Sequence, residues 1–126
     1  MSEVIQLNST LIPLSLAMLL AASVVPAQAQ QKVALKSPEP GVLCDRYLCA
    51  DGKTGVSREL TEKHLGNKAA TQLFAQGDFD PTQFTFAGGI FCDVKERLCR
   101  EDRYYGVDGK RSGKVSDKYT KLLFVQ

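Results

Sequence analysis

Apolar and polar positions divide the chain into three regimes. Glu3 and Lys32 bracket a stretch with no charged residue, and within it Leu11 to Val25 is mostly Leu, Ala, Val, Ile and Met. Pro26 and the small-x-small triplet Ala27-Gln28-Ala29 follow, the layout of an export signal cleaved after Ala29. This apolar stretch is shorter than the roughly 20 residues a permanent membrane anchor needs. Residues 1–29 are therefore expected to be removed, leaving a processed protein that is not integral to the membrane. The residues before Leu11 carry no Lys or Arg, so the positive end of the signal rests on the α-amino group. From Gln30 to Gly41 the chain is polar, and Pro38 and Pro40 forbid helix, which predicts a flexible lead-in. Beyond it, residues 42–126 alternate short apolar clusters with turn residues, as one small domain does.

Within that domain, Val42 to Cys49 alternates weakly and ends at the turn signal Asp51-Gly52, so it reads as a tight hairpin or a strand. Ser57 is placed to cap a helix from Arg58 to Leu65, with Glu59 and Glu62 early, Lys63 and His64 late, and Gly66 as its stop. A second helix is expected from Asn67 or Lys68 to Gln76, because Ala69, Ala70, Leu73 and Phe74 share one face before Gly77. Gln83-Phe84-Thr85-Phe86 restores the period-two alternation of a strand. Ile90 to Asp93 and Arg97 to Tyr105 read as two arms of a hairpin turning through Val94-Lys95-Glu96. Ser116 to Val125 is either a short helix or an edge strand, since Leu122 to Val125 has strand character. The expected core is Leu60, Leu65, Leu73, Phe74, Phe84, Phe86, Ile90, Phe91, Leu98 and Leu123. The fold class that results is α+β, with two hairpins around a central pair of short helices.

The four cysteines sharpen this. Leu43-Cys44-Asp45 with Leu48-Cys49 is echoed by Phe91-Cys92-Asp93 with Leu98-Cys99. Asp51-Gly52-Lys53 then recurs as Asp108-Gly109-Lys110, and Val56-Ser57-x-x-Leu60-Thr61 as Val115-Ser116-x-x-Tyr119-Thr120, in the same order. Two related halves, an internal pseudo-repeat, follow. An even set of cysteines behind an export signal fits disulfides in an oxidising compartment. The spacings C-x4-C and C-x6-C are wide for a zinc ribbon, so no metal is expected. Three pairings exist, and sequence alone does not choose among them. Chain entropy favours bridging the halves, at about 4 kcal/mol against about 2 for closing the Cys44 to Cys49 loop. Hairpin reach and fast closure of short loops favour Cys44–Cys49 with Cys92–Cys99, the pairing taken forward.

Charge changes the picture little. With 16 Lys and Arg, and 13 acids once Glu3 is removed with the signal, the processed chain carries a formal +3, too mild to imply nucleic acid. The last third is more basic, and its Arg103, Arg111 and Lys114 interleave with Tyr104 and Tyr105. Together with Tyr47 these form a candidate surface for an envelope protein or an anionic envelope polymer. Catalysis finds less support. The single histidine, His64, has no third group to pair with Cys49, and neither cysteine pair has redox-motif spacing. Asp78-x-Asp80 and the other aspartates invite a calcium reading, but Asp-Gly and Asp-Pro pairs are also good turn formers. No catalytic set, metal or cofactor is expected.

Taken as an ordered series, Cys44-Asp45-x-Tyr47-x-Cys49, Gly55-Val56-Ser57, Leu60-Thr61, Leu65-Gly66, Phe84-Thr85-Phe86, Gly89-Ile90-Phe91-Cys92-Asp93, Cys99 and Asp102-Arg103-Tyr104-Tyr105 resemble the Fels-1 prophage protein-like (YcgJ) family. The resemblance spans roughly Gly41 to Phe124. It implies a small exported bacterial protein, periplasmic or secreted, of no established activity, and it brings no catalytic residues. The function expected is thus a non-enzymatic binding module of the cell envelope. An inhibitor of a secreted enzyme such as a lysozyme is the alternative, and a small hydrolase or calcium-dependent protein a lesser one.

Overall fold

The computed structural model describes residues 34–125; the export segment expected at 1–29 lies outside them. Among the described residues, three short helices and two three-stranded antiparallel sheets make an α+β fold. The first sheet holds β1 (Val42–Cys44), β2 (Cys49–Asp51) and β3 (Gly55–Val56), and is followed by α1 (Arg58–Leu65) and α2 (Asn67–Phe74). The second holds β4 (Gln83–Thr85), β5 (Phe91–Asp93) and β6 (Leu98–Arg100), and α3 (Asp117–Phe124) closes the chain.

Both disulfides are local. Cys44 faces Cys49 across β1 and β2, and Cys92 faces Cys99 across β5 and β6, with Cα separations of 4.1 and 4.0 Å. Geometry therefore prevails over the larger entropic gain of crossed links. Each hairpin is too short to be stable alone, and the staple beside its turn is what a domain of this size can add to a limited core.

Hydrogen bonds show that the pseudo-repeat is structural. Asp45 Oδ1 accepts from the Tyr47 and Leu48 N–H groups at 2.7 and 2.8 Å, and Asp93 Oδ1 from Lys95 and Glu96 at 2.8 and 3.4 Å. The Cys49 carbonyl accepts from the Ser57 N–H at 3.0 Å, and the Cys99 carbonyl from Ser116 at 2.8 Å. Ser57 and Ser116 cap their helices by accepting from Leu60 and Tyr119. One turn into each helix, Thr61 Oγ1 accepts the Cys49 N–H at 3.0 Å and Thr120 Oγ1 the Cys99 N–H at 2.9 Å. Each half is thus a stapled hairpin whose second cysteine is stitched by backbone and hydroxyl to the first turn of a helix.

The same correspondence explains two departures from expectation. Leu35 to Gly41, read from its prolines as part of a flexible lead-in, packs on the domain: Lys36 bridges Cys44, and Leu35 is buried in the core. Lys36 stands eight residues before Cys44, as Phe84 stands eight before Cys92, so this segment is the first half's counterpart of β4. Prolines forbid helix but not an edge bridge, which uses the Lys36 N–H and carbonyl. In the second half, the arm expected from Arg97 to Tyr105 stops at Arg100, and only single bridges, Arg100 with Val115 and Tyr105 with Arg111, continue the pairing. Strand-forming Tyr104 and Tyr105 find no neighbouring strand to pair with over that length. The segment at 116–125 is helical, as the repeat requires, and its capping serine outweighs the strand propensity of Leu122 to Val125. Helix α2 ends at Phe74, two residues short of Gln76.

One core joins the halves, with Leu43, Leu48, Ala50 and Val56 meeting Phe84, Phe86, Ile90, Leu123 and Phe124. Leu60 and Leu65 of α1 lie over the Cys44–Cys49 staple and Val42. Of the expected core, Leu60, Leu65, Leu73, Phe74 and Leu98 are only half-buried, because eight-residue helices lying on three-residue strands leave their far edges in water. Gly55 has φ +87°, and a Cβ there would strike the Pro81 carbonyl, which accepts from the Val56 N–H at 2.8 Å where the halves meet.

Candidate functional site

Between the stapled hairpin and the capping serine, matching the two halves by their hydrogen bonds isolates one large difference. Cys49 is eight residues from Ser57, whereas Cys99 is seventeen from Ser116, although Ala50 pairs with Val56 as Arg100 pairs with Val115. Residues 101–114 therefore replace a five-residue turn, and most of the candidate surface residues fall within them.

The insert is braced rather than loose. At its base the Glu101 N–H donates to the Lys114 carbonyl at 2.7 Å, and higher up Ser112 donates to the Tyr104 carbonyl and Gly106 to the Lys110 carbonyl. Asp102 and Asp108 accept from the Tyr104 and Lys110 N–H groups, so both carboxylates serve the insert's own turns. Gly113 is buried where a Cβ would meet the Asp102 backbone. Arg111 is the principal brace: its guanidinium lies 4.2 Å from the ring centroids of both Phe91 and Tyr105, and it donates to the Arg103 carbonyl. Such stacking suits the planar, weakly hydrated guanidinium and would not be reproduced by Lys.

What the brace presents is apolar and cationic. Tyr104 and Tyr105 are each 61% exposed, and Val107 at the tip is fully exposed. Arg103 lies over the Tyr104 ring at 5.7 Å, and Lys114 is exposed at the base. Tyr47 is elsewhere, on the stapled turn of the first half, exposed and paired with Arg46 beside a cleft of about 240 Å³ lined also by Gln72, Leu73 and Gln76 of the α2 region. The structure thus brings Arg103, Tyr104, Tyr105 and Arg111 together and leaves Tyr47 apart. Sequence reading passed over Val107, whose signal was the unequal Cys-to-Ser spacing of the halves.

Both ends of each cysteine pair are in disulfides, so Cys49 offers no thiol for His64 to activate. His64 Nε2 lies 2.6 Å from Glu39 Oε2, and Lys63 donates to the same oxygen at 3.1 Å; these bonds, His64 first, hold the Glu39 carboxyl below its ordinary value. Asp80 is lowered as well, by hydrogen bonds from the Thr82 hydroxyl and backbone, which commits it to its own turn. Among the described residues no group of three or more His, Cys, Asp or Glu side chains is placed to hold a metal. Nor, among them, is any helix long and apolar enough to cross a membrane.

What the fold and its surface define is a small disulfide-stapled α+β domain with a duplicated framework and one braced loop. The family described as YcgJ protein matches residues 35–124, and the chain belongs to that family. A relative is the uncharacterized protein YcgJ of Escherichia coli (strain K12), 58% identical over 91 residues that cover 72% of this chain and 74% of the relative. No solved structure matches. The matched span begins at Leu35, where the structure places the first residue of the core.

Proposed function

We propose that this is an exported, non-enzymatic binding module of the cell envelope, periplasmic or secreted, which engages its partner through the 101–114 insert. The observation that carries the reading is the comparison of halves: a five-residue turn closes the framework in one, and the other spends fourteen residues to hold Tyr104, Tyr105 and Val107 in water. Ordering a loop costs conformational entropy, and exposing apolar tips returns none of it as stability. Two disulfides that persist only under oxidising conditions support the extracytoplasmic location. Inhibition of a secreted enzyme is the second reading, favoured by a braced loop with a fully exposed tip residue, a preorganised shape that suits a cleft.

The test replaces residues 101–114 by the first half's turn, Asp51 to Gly55, between the retained Arg100 and Val115. The variant is expected to keep its unfolding free energy in urea within about 1 kcal/mol of the parent's, the scale of loop-length effects on closure, and to lose retention on isolated envelope fractions. Retention equal to that of the parent refutes the role of the insert. Mass spectrometry of exported protein should find a chain beginning at Gln30.

A further inference from the structure

On that reading, we infer that the occupant facing the insert is a protein with an apolar cleft rimmed by carboxylates, into which Val107 inserts with Tyr104 and Tyr105 at its shoulders. Four observations lead there. Val107 is fully exposed at the turn of the insert, so a partner that covers it must enclose it. Its shoulders are two tyrosines, 61% exposed, and tyrosine with arginine is the composition that carries protein interface energy. Asp102 is half-buried and Asp108, though exposed, accepts an N–H of its own loop, while Arg103, Lys110 and Lys114 are exposed, so exposed cations outnumber exposed carboxylates three to one. Finally, Arg111 clamps the insert between Phe91 and Tyr105, so little is left to order on binding. A hydrated anionic polymer would meet the cations but would leave the projecting valine without a pocket, and a single valine buries too little apolar surface to anchor a domain in lipid.

The test uses the full exported, oxidised protein in the producing cell. A benzoylphenylalanine photocrosslinker is placed at Val107, and at Val125, which is 63% exposed and outside the insert, as control. A single protein adduct is expected from position 107 and none from 125, and the attached partner peptide should lie beside Asp or Glu residues. Combining the probe with Arg103→Glu, Lys110→Glu and Lys114→Glu should reduce that adduct about tenfold, the scale of a lost interface anchor. In the unlabelled protein Val107→Asp should displace the partner, while far-UV circular dichroism reports both variants folded. Adducts from 107 that a muramidase digests, that carry phospholipid, or that match those from 125 overturn the inference. So does a protein adduct indifferent to charge reversal. If the turn-transplant variant loses envelope retention but position 107 gives no protein adduct, this inference fails and the binding-module reading stands; if the transplant loses nothing, that reading fails.

Discussion

Asp45 and Asp93 occupy equivalent positions in the two halves, yet exchanging each for asparagine should have unequal consequences. Both carboxylates use Oδ1 to accept two backbone N–H groups of their own turn. They differ at Oδ2. In Asp45 it accepts the Ala87 N–H of the opposite half at 2.6 Å, whereas in Asp93 it accepts the Gln83 side-chain amide at 3.3 Å. Asp45→Asn sets an NH2 group against the fixed Ala87 N–H, removing a hydrogen bond to a charged group worth roughly 1.5–3 kcal/mol. The two Oδ1 bonds also weaken from charged to neutral, for a total of about 3–4 kcal/mol. Asp93→Asn suffers the same weakening, but the Gln83 amide can rotate to offer its oxygen, so the cost is about 1 kcal/mol. Equilibrium urea unfolding of the two oxidised variants at pH 7, with an unchanged m value, reads the gap of about 2 kcal/mol. Equal losses, or a larger one for Asp93→Asn, would refute the claim that Asp45 ties the halves together.

Thr61→Val and Thr120→Val should each cost about 1–3 kcal/mol by leaving a buried cysteine N–H unpaired, and similar losses in urea unfolding would show that the two stitches are the same device. The lowered pKa of Glu39 means that its contribution is present above the ordinary carboxylate value of 4.5 and is lost as pH falls through the folded value. The stability difference between the protein and Glu39→Gln should accordingly shrink below about pH 4.5 in a pH series of thermal melts, and a difference that grows there contradicts the assignment. Arg97 sits at φ 58° and donates to the Phe124 carbonyl at 2.7 Å while stacking on its ring at 5.1 Å. Arg97→Ala should cost about 2 kcal/mol in the same unfolding assay, and Arg97→Gly less, because glycine escapes the left-handed penalty of roughly 1–2 kcal/mol.

How far these features were legible in the sequence depends on the range of the interaction. Ser57 and Gly66 delimit α1 by capping chemistry that needs no tertiary partner, and the structure has the helix between them. The stapled hairpins were legible for a related reason, since cysteines five and seven residues apart in an alternating pattern reach one another only by folding back. Errors arose where an element depends on a distant partner. Lys36 forms an edge bridge because Cys44 presents its free backbone groups to it, and nothing within residues 30–41 announces that. Tyr104 and Tyr105 have strand propensity but no strand beside them, so their segment becomes part of the insert. Leu35 and Phe124 are core residues through long-range packing, while Leu98 loses its place because its strand lies at a sheet edge. For the candidate surface, residue type pointed to Arg103, Tyr104 and Tyr105, but the role of Arg111 as a clamp required knowing that Phe91 lies beneath it.

The duplicated framework also accounts for why an insert could be carried here at so little cost. The bridge between Arg100 and Val115 holds the ends of the insert together just as Ala50 and Val56 hold the ends of the turn. Lengthening a closed loop from five to fourteen residues adds only (3/2)RT ln(14/5), about 1 kcal/mol. The insert's own hydrogen bonds and the Arg111 sandwich are of a size to offset that. Stability is then nearly indifferent to whether the second half carries a turn or a loop, so stability does not explain the exposed Val107. An apolar tip that the fold neither needs nor covers is what the proposed binding role would explain.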